Sequence, residues 1–208
     1  MKVLELFAGS RSIGKAGEKL GFNVFSVDWN NYDNIDLCID IETLKHNDIP
    51  FIPDIIWASP DCTTYSIAAI SKHRKGVEPI SDYAKKCDAV NTHFISLINY
   101  YLSINPNLIF FIENPRGMLR KMPFMQSFKR DTIWYCQYGD KRAKPTDIFH
   151  NSKNWMPSPV CHNGNINCHH ERAPRGSKTG TQGKKGSYDR SIIPEPLCLE
   201  ILKSCIKK

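Results

Sequence analysis

The sequence predicts an α/β fold, a mostly parallel sheet with helices on both faces, and three observations carry that prediction. Short runs rich in Val, Ile and Phe alternate with helical or polar segments through the first half of the chain. Residues 82–103 place Ala84, Cys87, Val90, Phe94, Leu97, Ile98 and Tyr101 at helical spacing, which makes a long amphipathic helix that packs on a sheet. At 208 residues the chain suits one α/β domain with at most a small appendage.

The elements follow in order. Lys2–Phe7 reads as a buried strand and Ser12–Leu20 as a helix, so residues 8–11 of "LELFAGSRSIG" connect them. Such a junction puts free backbone N–H groups beside the carboxyl edge of a sheet, where open α/β folds bind nucleotide-like ligands; the same pattern also makes ordinary βα turns. Further strands are expected at Asn23–Val27, Ile55–Ala58 and 108–112, with a weaker one at Leu37–Ile39. The helix at 82–103 reads as plain scaffold. After Asn154 come Pro157, Pro159 and a glycine- and lysine-rich stretch, residues 162–188, with too few aliphatic residues to build a core. Pro194 suits the first turn of a closing helix whose stripe is Leu197, Ile201, Leu202 and Cys205. The expected division is 1–150 as the main α/β domain, 151–190 as a small irregular basic module, and 191–208 as a helix packing back.

No apolar stretch is long enough to span a bilayer, and the first residues read as a strand and not as a signal segment, so a cytoplasmic protein without membrane contact is expected. Its eight cysteines then read as reduced thiols, without a disulfide framework. The formal charge of +7 divides unevenly, −4 over residues 1–115 and +11 over 116–208. The bland reading is a solvated surface. A basic half that also bears Trp134, Tyr135, Tyr138, Trp155 and Tyr188 suits a polyanion with bases to stack on.

Chemistry is expected at the strand ends. Asp28, closing the second strand, stands where a carboxylate takes a ribose diol, and Trp29 beside it can stack on adenine, although a strand-end Asp-Trp is also a common cap and packing pair. Asp40 follows the third strand and is available to an exocyclic amino group. Together they describe an adenosine. Cys62 lies in "WASPDCTTYS" after the fourth strand, either a filler or a nucleophile. Glu113 directly follows the fifth, where solvation is poor and a carboxylate needs a partner or a proton-transfer role.

These stretches resemble the cytosine-C5 DNA methyltransferases. "ELFAGSRSIG" is similar to the family's DLFAGxGG loop, Asp28-Trp29 to its acidic-Trp pair, "SPDCTTYS" to GPPCQxFS and "ENP" to ENV, in the family's order over most of the first 120 residues. "YGDKRAKPTDIF" is similar to its YGxPQxRxR strand and loop, and "IIPEPLCLEIL" to its closing helix. The resemblance implies a Rossmann-like class I S-adenosylmethionine-dependent methyltransferase fold. It implies that S-adenosylmethionine, leaving as S-adenosylhomocysteine, is held by Phe7, Ala8, Gly9, Ser10, Ser12, Asp28, Trp29, Asp40, Ile41 and Pro60. It further implies that Cys62 attacks C6 of a cytosine flipped out of duplex DNA while Glu113 serves N3, with Asn114 holding the loop or the base and Arg142 and Lys144 as nearest equivalents of QxRxR.

The departures from the pattern have consequences. Arg11 and Ser12 replace glycines and would crowd or contact the methionine part of the cofactor. Asp61 replaces a proline and would raise the thiol pKa of Cys62. Only about residues 151–188 are left for target recognition, which leaves room for a partner protein that supplies the rest. Residues 63–86, with His73, Arg74 and Lys75, are the candidate loop closing over DNA. In "CHNGNINCHH", Cys161, Cys168, His169 and His170 are candidate zinc ligands, at a spacing uncommon for zinc; the other reading is a basic loop that folds on DNA. Three further readings stand beside the main one: a methyltransferase-fold protein that binds DNA without methylating it, a methyltransferase acting on RNA, and a dehydrogenase, whose second loop glycine is missing here.

Overall fold

The computed structural model describes residues 1–162, 170 and 186–206. In chain order the elements are β1 (Lys2–Leu6), α1 (Ser12–Lys19), β2 (Asn23–Asp28), β3 (Leu37–Cys38), β4 (Ile55–Ala58), α2 (Ile70–His73), the hairpin β5 (Arg74–Lys75) and β6 (Glu78–Pro79), α3 (Asp82–Ile104), β7 (Ile109–Pro115), β8 (Lys129–Trp134), β9 (Pro145–His150), α4 (Ser187–Ser191) and α5 (Glu195–Ser204). Short 3-10 turns join several of them. Among the described residues no helix is long and apolar enough to cross a membrane.

Seven strands form one sheet in the order β3-β2-β1-β4-β7-β9-β8. The first five run parallel, whereas β9 is antiparallel to both of its neighbours. The fold is therefore the expected mostly parallel, Rossmann-like α/β sheet, with an antiparallel hairpin completing one side. The register sets Leu6 opposite Val27 and Ala58, and Ala58 opposite Ile112. The loops after β1, β2, β4 and β7 consequently leave the sheet along one edge, although their residues are far apart in sequence.

Side chains alternate across the strands with period two. Val3, Ile55, Trp57, Phe111, Ile133 and Ile148 face α1 and α5, where Ile13, Leu197, Ile201 and Leu202 complete a buried layer. Leu4, Leu6, Ile56, Ala58, Phe110 and Ile112 face the other way and meet Phe94, Leu97, Ile98 and Tyr101 of α3. Ser81 caps α3 by accepting from the Ala84 N–H at 3.1 Å. β8 opens with exposed Lys129 and Arg130 and lies at the sheet edge, where charge discourages further pairing; that polarity hides it as a strand in the sequence.

Two sequence expectations are corrected by packing. Of the aromatics expected on a base-stacking surface, Tyr135, Tyr138 and Trp155 are core residues. The Trp155 indole N–H donates to Glu200 at 2.9 Å and Tyr138 donates to the same carboxylate at 3.1 Å, so Trp155 pins the chain after β9, and Tyr138 the turn before it, onto α5. Tyr188 is 40% exposed and tilts against Tyr32. In the stretch 63–86, Arg74 is not a free DNA contact: it is buried, forks onto Asp88 at 2.6 and 2.9 Å and lies over the Tyr65 ring at 4.3 Å. His73 is held by Ser81 at 2.9 Å, while Lys75 is exposed.

Candidate active site

The loop after β1 is shaped by three left-handed residues at alternate positions, Phe7 (φ 56°), Gly9 (φ 50°) and Arg11 (φ 54°). Two of these are not glycine, a backbone cost that persists only where the surroundings hold it, and here they do. The Gly9 N–H donates to Asp28 at 2.9 Å, and the second oxygen of that carboxylate accepts from the Asn30 N–H at 2.8 Å. Asp28 thus ties the first loop to the end of β2, and its remaining lone pairs are the ones left for a ligand. Gly9 faces Ser191 closely, so that a Cβ there would lie 3.2 Å from the serine hydroxyl. Ser10 and Ser12 share a hydrogen bond at 2.9 Å, and Ser12 accepts from the Ile193 N–H at 3.1 Å. The closing segment therefore sits over the first loop.

Arg11 does not crowd this loop as the sequence suggested. Its side chain turns under α1, where Nε donates to Ser26 at 3.0 Å and the far nitrogen pairs with Glu18. Beside it lies Glu5, a residue the sequence reading passed over because it sits inside an apolar strand. Its carboxylate accepts from the Ile13 N–H at 3.1 Å and from Ser26 at 2.8 Å, and burial pushes its pKa up to about 7. Gly14 is required by this network, since a Cβ would lie 2.7 Å from the Glu5 carboxylate.

A cleft partly open to solvent lies at the carboxyl edge and is lined by Phe7, Trp29, Asp40, Ile41 and Pro60 together with a stripe of α3. Trp29 is 68% exposed at its border, an indole face free for stacking. Asp40 caps a short turn through the Glu42 N–H at 3.1 Å and pairs with Lys86 at 2.8 Å; that hydrogen bond holds its pKa below the usual carboxylate value. Of the expected ligand-holding residues, five line the cleft and Asp28, Gly9, Ser10 and Ser12 build the loop beside it; Ala8 is buried, its N–H donating to Val27 at 3.1 Å.

The α3 stripe was missed. Tyr83, Lys86, Cys87, Val90 and Asn91 recur at i, i+3, i+4, i+7 and i+8, a signal present in the sequence but read there as scaffold. Such a stripe shows that a helix faces something, and only the fold shows that part of what it faces is an open cleft.

At the neighbouring strand ends a second group assembles. Asn114 donates to the Pro60 carbonyl at 2.9 Å, hanging the Cys62 loop from the end of β7. Gly117 lets the same loop approach, because a Cβ there would come within 2.4 Å of the Tyr65 carbonyl oxygen. Glu113 is buried, accepts from the Tyr135 hydroxyl at 2.9 Å and faces the Lys144 ammonium at 3.7 Å, which also lies over the Tyr135 ring at 4.4 Å. Cys62 is partly exposed. Its thiol is pushed up to about 11, first by burial and then by the charges of Asp61 and Glu113, with Lys144 pulling the other way. Asp61 accepts from the Thr63 N–H and from the Tyr83 hydroxyl at 2.8 Å. Arg142 pairs with Asp140 and lies over the Tyr135 ring at 6.0 Å, and among the described residues one of its nitrogens is buried without a partner. Tyr135 is the other participant that sequence reasoning missed, because it was counted with the surface aromatics. A thiol, a buried carboxyl, a cation and a tyrosine hydroxyl at one sheet edge suit nucleophilic attack coupled to proton transfer.

No family model matches the chain. It is 26% identical over 224 residues to a Frog virus 3 (isolate Goorha) protein named a probable DNA (cytosine-5)-methyltransferase, covering 99% of this chain and all of that one. Among solved structures it resembles a candidate DNA modification methyltransferase encoded in an E. coli prophage (TM-score 0.51, 15% identity, 77% of this chain and 52% of that one). It also resembles the Entamoeba histolytica methyltransferase EhMeth (TM-score 0.50, 15% identity, 83% and 57%). The chain thus spans about half the length of the solved structures it matches, and their likeness establishes the fold.

Proposed function

We propose that this chain, a member of the cytosine-C5 DNA methyltransferase group, transfers a methyl group from S-adenosylmethionine to carbon 5 of cytosine in DNA. The observation that carries the proposal is the tether from Asn114 to the Pro60 carbonyl, which brings the Cys62 loop to the strand end bearing Glu113 and its partners Tyr135 and Lys144. The cleft fits the cofactor: an exposed indole at its border, apolar walls from Phe7, Ile41 and Pro60, and the Asp40 carboxylate are the features an adenosine needs. S-adenosylmethionine bound there supplies an electrophilic methyl group.

Carbon 5 of cytosine is too weak a nucleophile to take that group unaided. Cys62 Sγ forms a bond to C6 while Glu113 delivers a proton or hydrogen bond to N3, and the ring electrons shift to C5 as an enamine. Once C5 carries the methyl group and S-adenosylhomocysteine has left, solvent water takes the C5 proton, the Sγ–C6 bond breaks to return Cys62 as thiolate, the C5–C6 double bond returns and N3 gives its proton back to Glu113. Lys144 favours the thiolate and faces Glu113 at 3.7 Å, and the Tyr135 hydroxyl orients that carboxyl group. None of this chemistry is accessible inside a stacked duplex, so the cytosine enters the site flipped or single-stranded.

The test is transfer of labelled methyl from S-adenosylmethionine to mixed-sequence duplex DNA, single-stranded DNA and RNA, wild type beside Cys62→Ala. Label at C5 of cytosine in DNA that vanishes in the variant is the expected result. Label in RNA alone moves the substrate class. A protein that binds cofactor and DNA yet labels nothing overturns the enzymatic reading in favour of a DNA-binding relative, which the raised thiol of Cys62 favours.

A further inference from the structure

Beyond the methyl-transfer site, Cys136, Cys161 and His170 converge from three separate stretches of chain. Cys136 lies in the 3-10 turn Tyr135–Tyr138, Cys161 follows the loop pinned by Trp155, and His170 stands nine residues further on. One ligand atom from each lies within 4.8 Å of the other two. Both thiols are buried, packed with Trp134 and Ala143. The sequence reading found Cys161 and His170 but not Cys136, because no local spacing links it to them. It also named Cys168 and His169, which lie outside the described residues.

We propose that Cys136, Cys161 and His170 hold a structural zinc ion. Bond lengths of about 2.3 Å to sulfur and 2.0–2.1 Å to nitrogen in a tetrahedron require an S···N edge of about 3.6 Å and an S···S edge of about 3.8 Å. Cys161 Sγ lies 3.5 Å from His170 Nδ1, close to that edge, and the 4.8 Å bound on the remaining pairs leaves only a small closure. Two thiolates and an imidazole are soft donors that select zinc over magnesium or calcium. The fourth corner takes water or one more side chain.

The position of the ion gives it a task. Cys136 directly follows Tyr135, whose hydroxyl holds Glu113, so the metal clamps the turn under the proposed acid to the start of the glycine- and lysine-rich stretch. A stretch with so few aliphatic residues gains a fixed point without a core of its own. This inference does not depend on the methyl-transfer reading.

The test uses the full chain purified under reducing conditions without added chelator. Elemental analysis is expected to give one zinc per chain, retained in Cys38→Ser, where the thiol is exposed, and lost or reduced at least about tenfold in affinity in Cys136→Ala and His170→Ala. Because a ligand variant can fail to fold, the wild type is also exchanged into cobalt. A thiolate-to-cobalt charge-transfer band with intense tetrahedral visible bands is expected, and its strength distinguishes two thiolates from three. Chelation of the zinc protein should release two or three thiols to a thiol reagent. A wild type that carries no zinc and takes up no cobalt, or one whose Cys136 and Cys161 are joined as a disulfide, overturns the proposal, as does full zinc occupancy in folded Cys136→Ala.

Discussion

Cys62 should react slowly with alkylating reagents, and Asp61 should be one reason. With the thiol near pKa 11, about one molecule in a thousand is thiolate at pH 8, whereas a free cysteine of pKa 8.5 is about a quarter ionised. The deficit of about 240-fold is partly offset because a more basic thiolate is the better nucleophile, by roughly 13-fold over 2.5 pKa units at a Brønsted slope of about 0.45. Iodoacetamide should therefore modify Cys62 about 20-fold more slowly than a free cysteine. Asp61→Asn removes the nearest negative charge and keeps an oxygen to accept from the Thr63 N–H, so the thiol pKa falls and the variant reacts faster. Each unit of fall multiplies the thiolate about tenfold and the rate about threefold. Lys144→Met should do the reverse. The assay is peptide mapping by mass spectrometry in a Cys38→Ser background, with the rate followed across pH. A wild-type rate that levels off near pH 8.5, or an Asp61→Asn variant slower than wild type, would refute the electrostatic account.

The remaining predictions concern the cleft, the acid and the first strand. Trp29→Ala should weaken S-adenosylmethionine binding by about 1–3 kcal/mol, the usual worth of base stacking on an aromatic, while leaving Tm almost unchanged because the indole is largely exposed; calorimetry and thermal melting read the two separately. Tyr135→Phe deletes the donor to Glu113 and should lower kcat about tenfold to a hundredfold, the equivalent of about 1.5–3 kcal/mol, with cofactor affinity unchanged in the same preparation. Glu5 has a folded pKa of about 7 against an unfolded value of 4.5, so between those values the unfolded chain has already given up a proton that the folded one keeps. Its contribution is fully present below pH 4.5 and is lost as pH rises through 7, a fall of about 3 kcal/mol; urea midpoints at several pH values should show this slope in wild type and lose it in Glu5→Gln.

Much of this protein is legible in its sequence, because strand and helix signals are local. Lys2–Leu6, Ile55–Ala58 and Asp82–Ile104 fall within a residue of where composition and spacing put them, since an apolar run or a 3.6-residue stripe needs no partner to be recognised. The loop motifs at Gly9, Asp28 and Cys62 are equally local, as each sits at or just beyond the end of a strand, whereas Glu113, expected directly after the fifth strand, lies inside β7 because pairing with β9 carries that strand on to Pro115. Three things came only from tertiary structure. β8 is a polar edge strand that exists because β9 pairs with it, and no periodicity announces it. The fate of a buried polar side chain depends on what the fold brings opposite: Arg74 found Asp88, Arg11 turned to Ser26, and Tyr135 left the expected surface to meet Glu113. The convergence of Cys136 with Cys161 and His170 is of the same kind. Sequence determines what each segment prefers, but which groups share a low-dielectric neighbourhood is set by how the sheet edge and its covering helices close over one another.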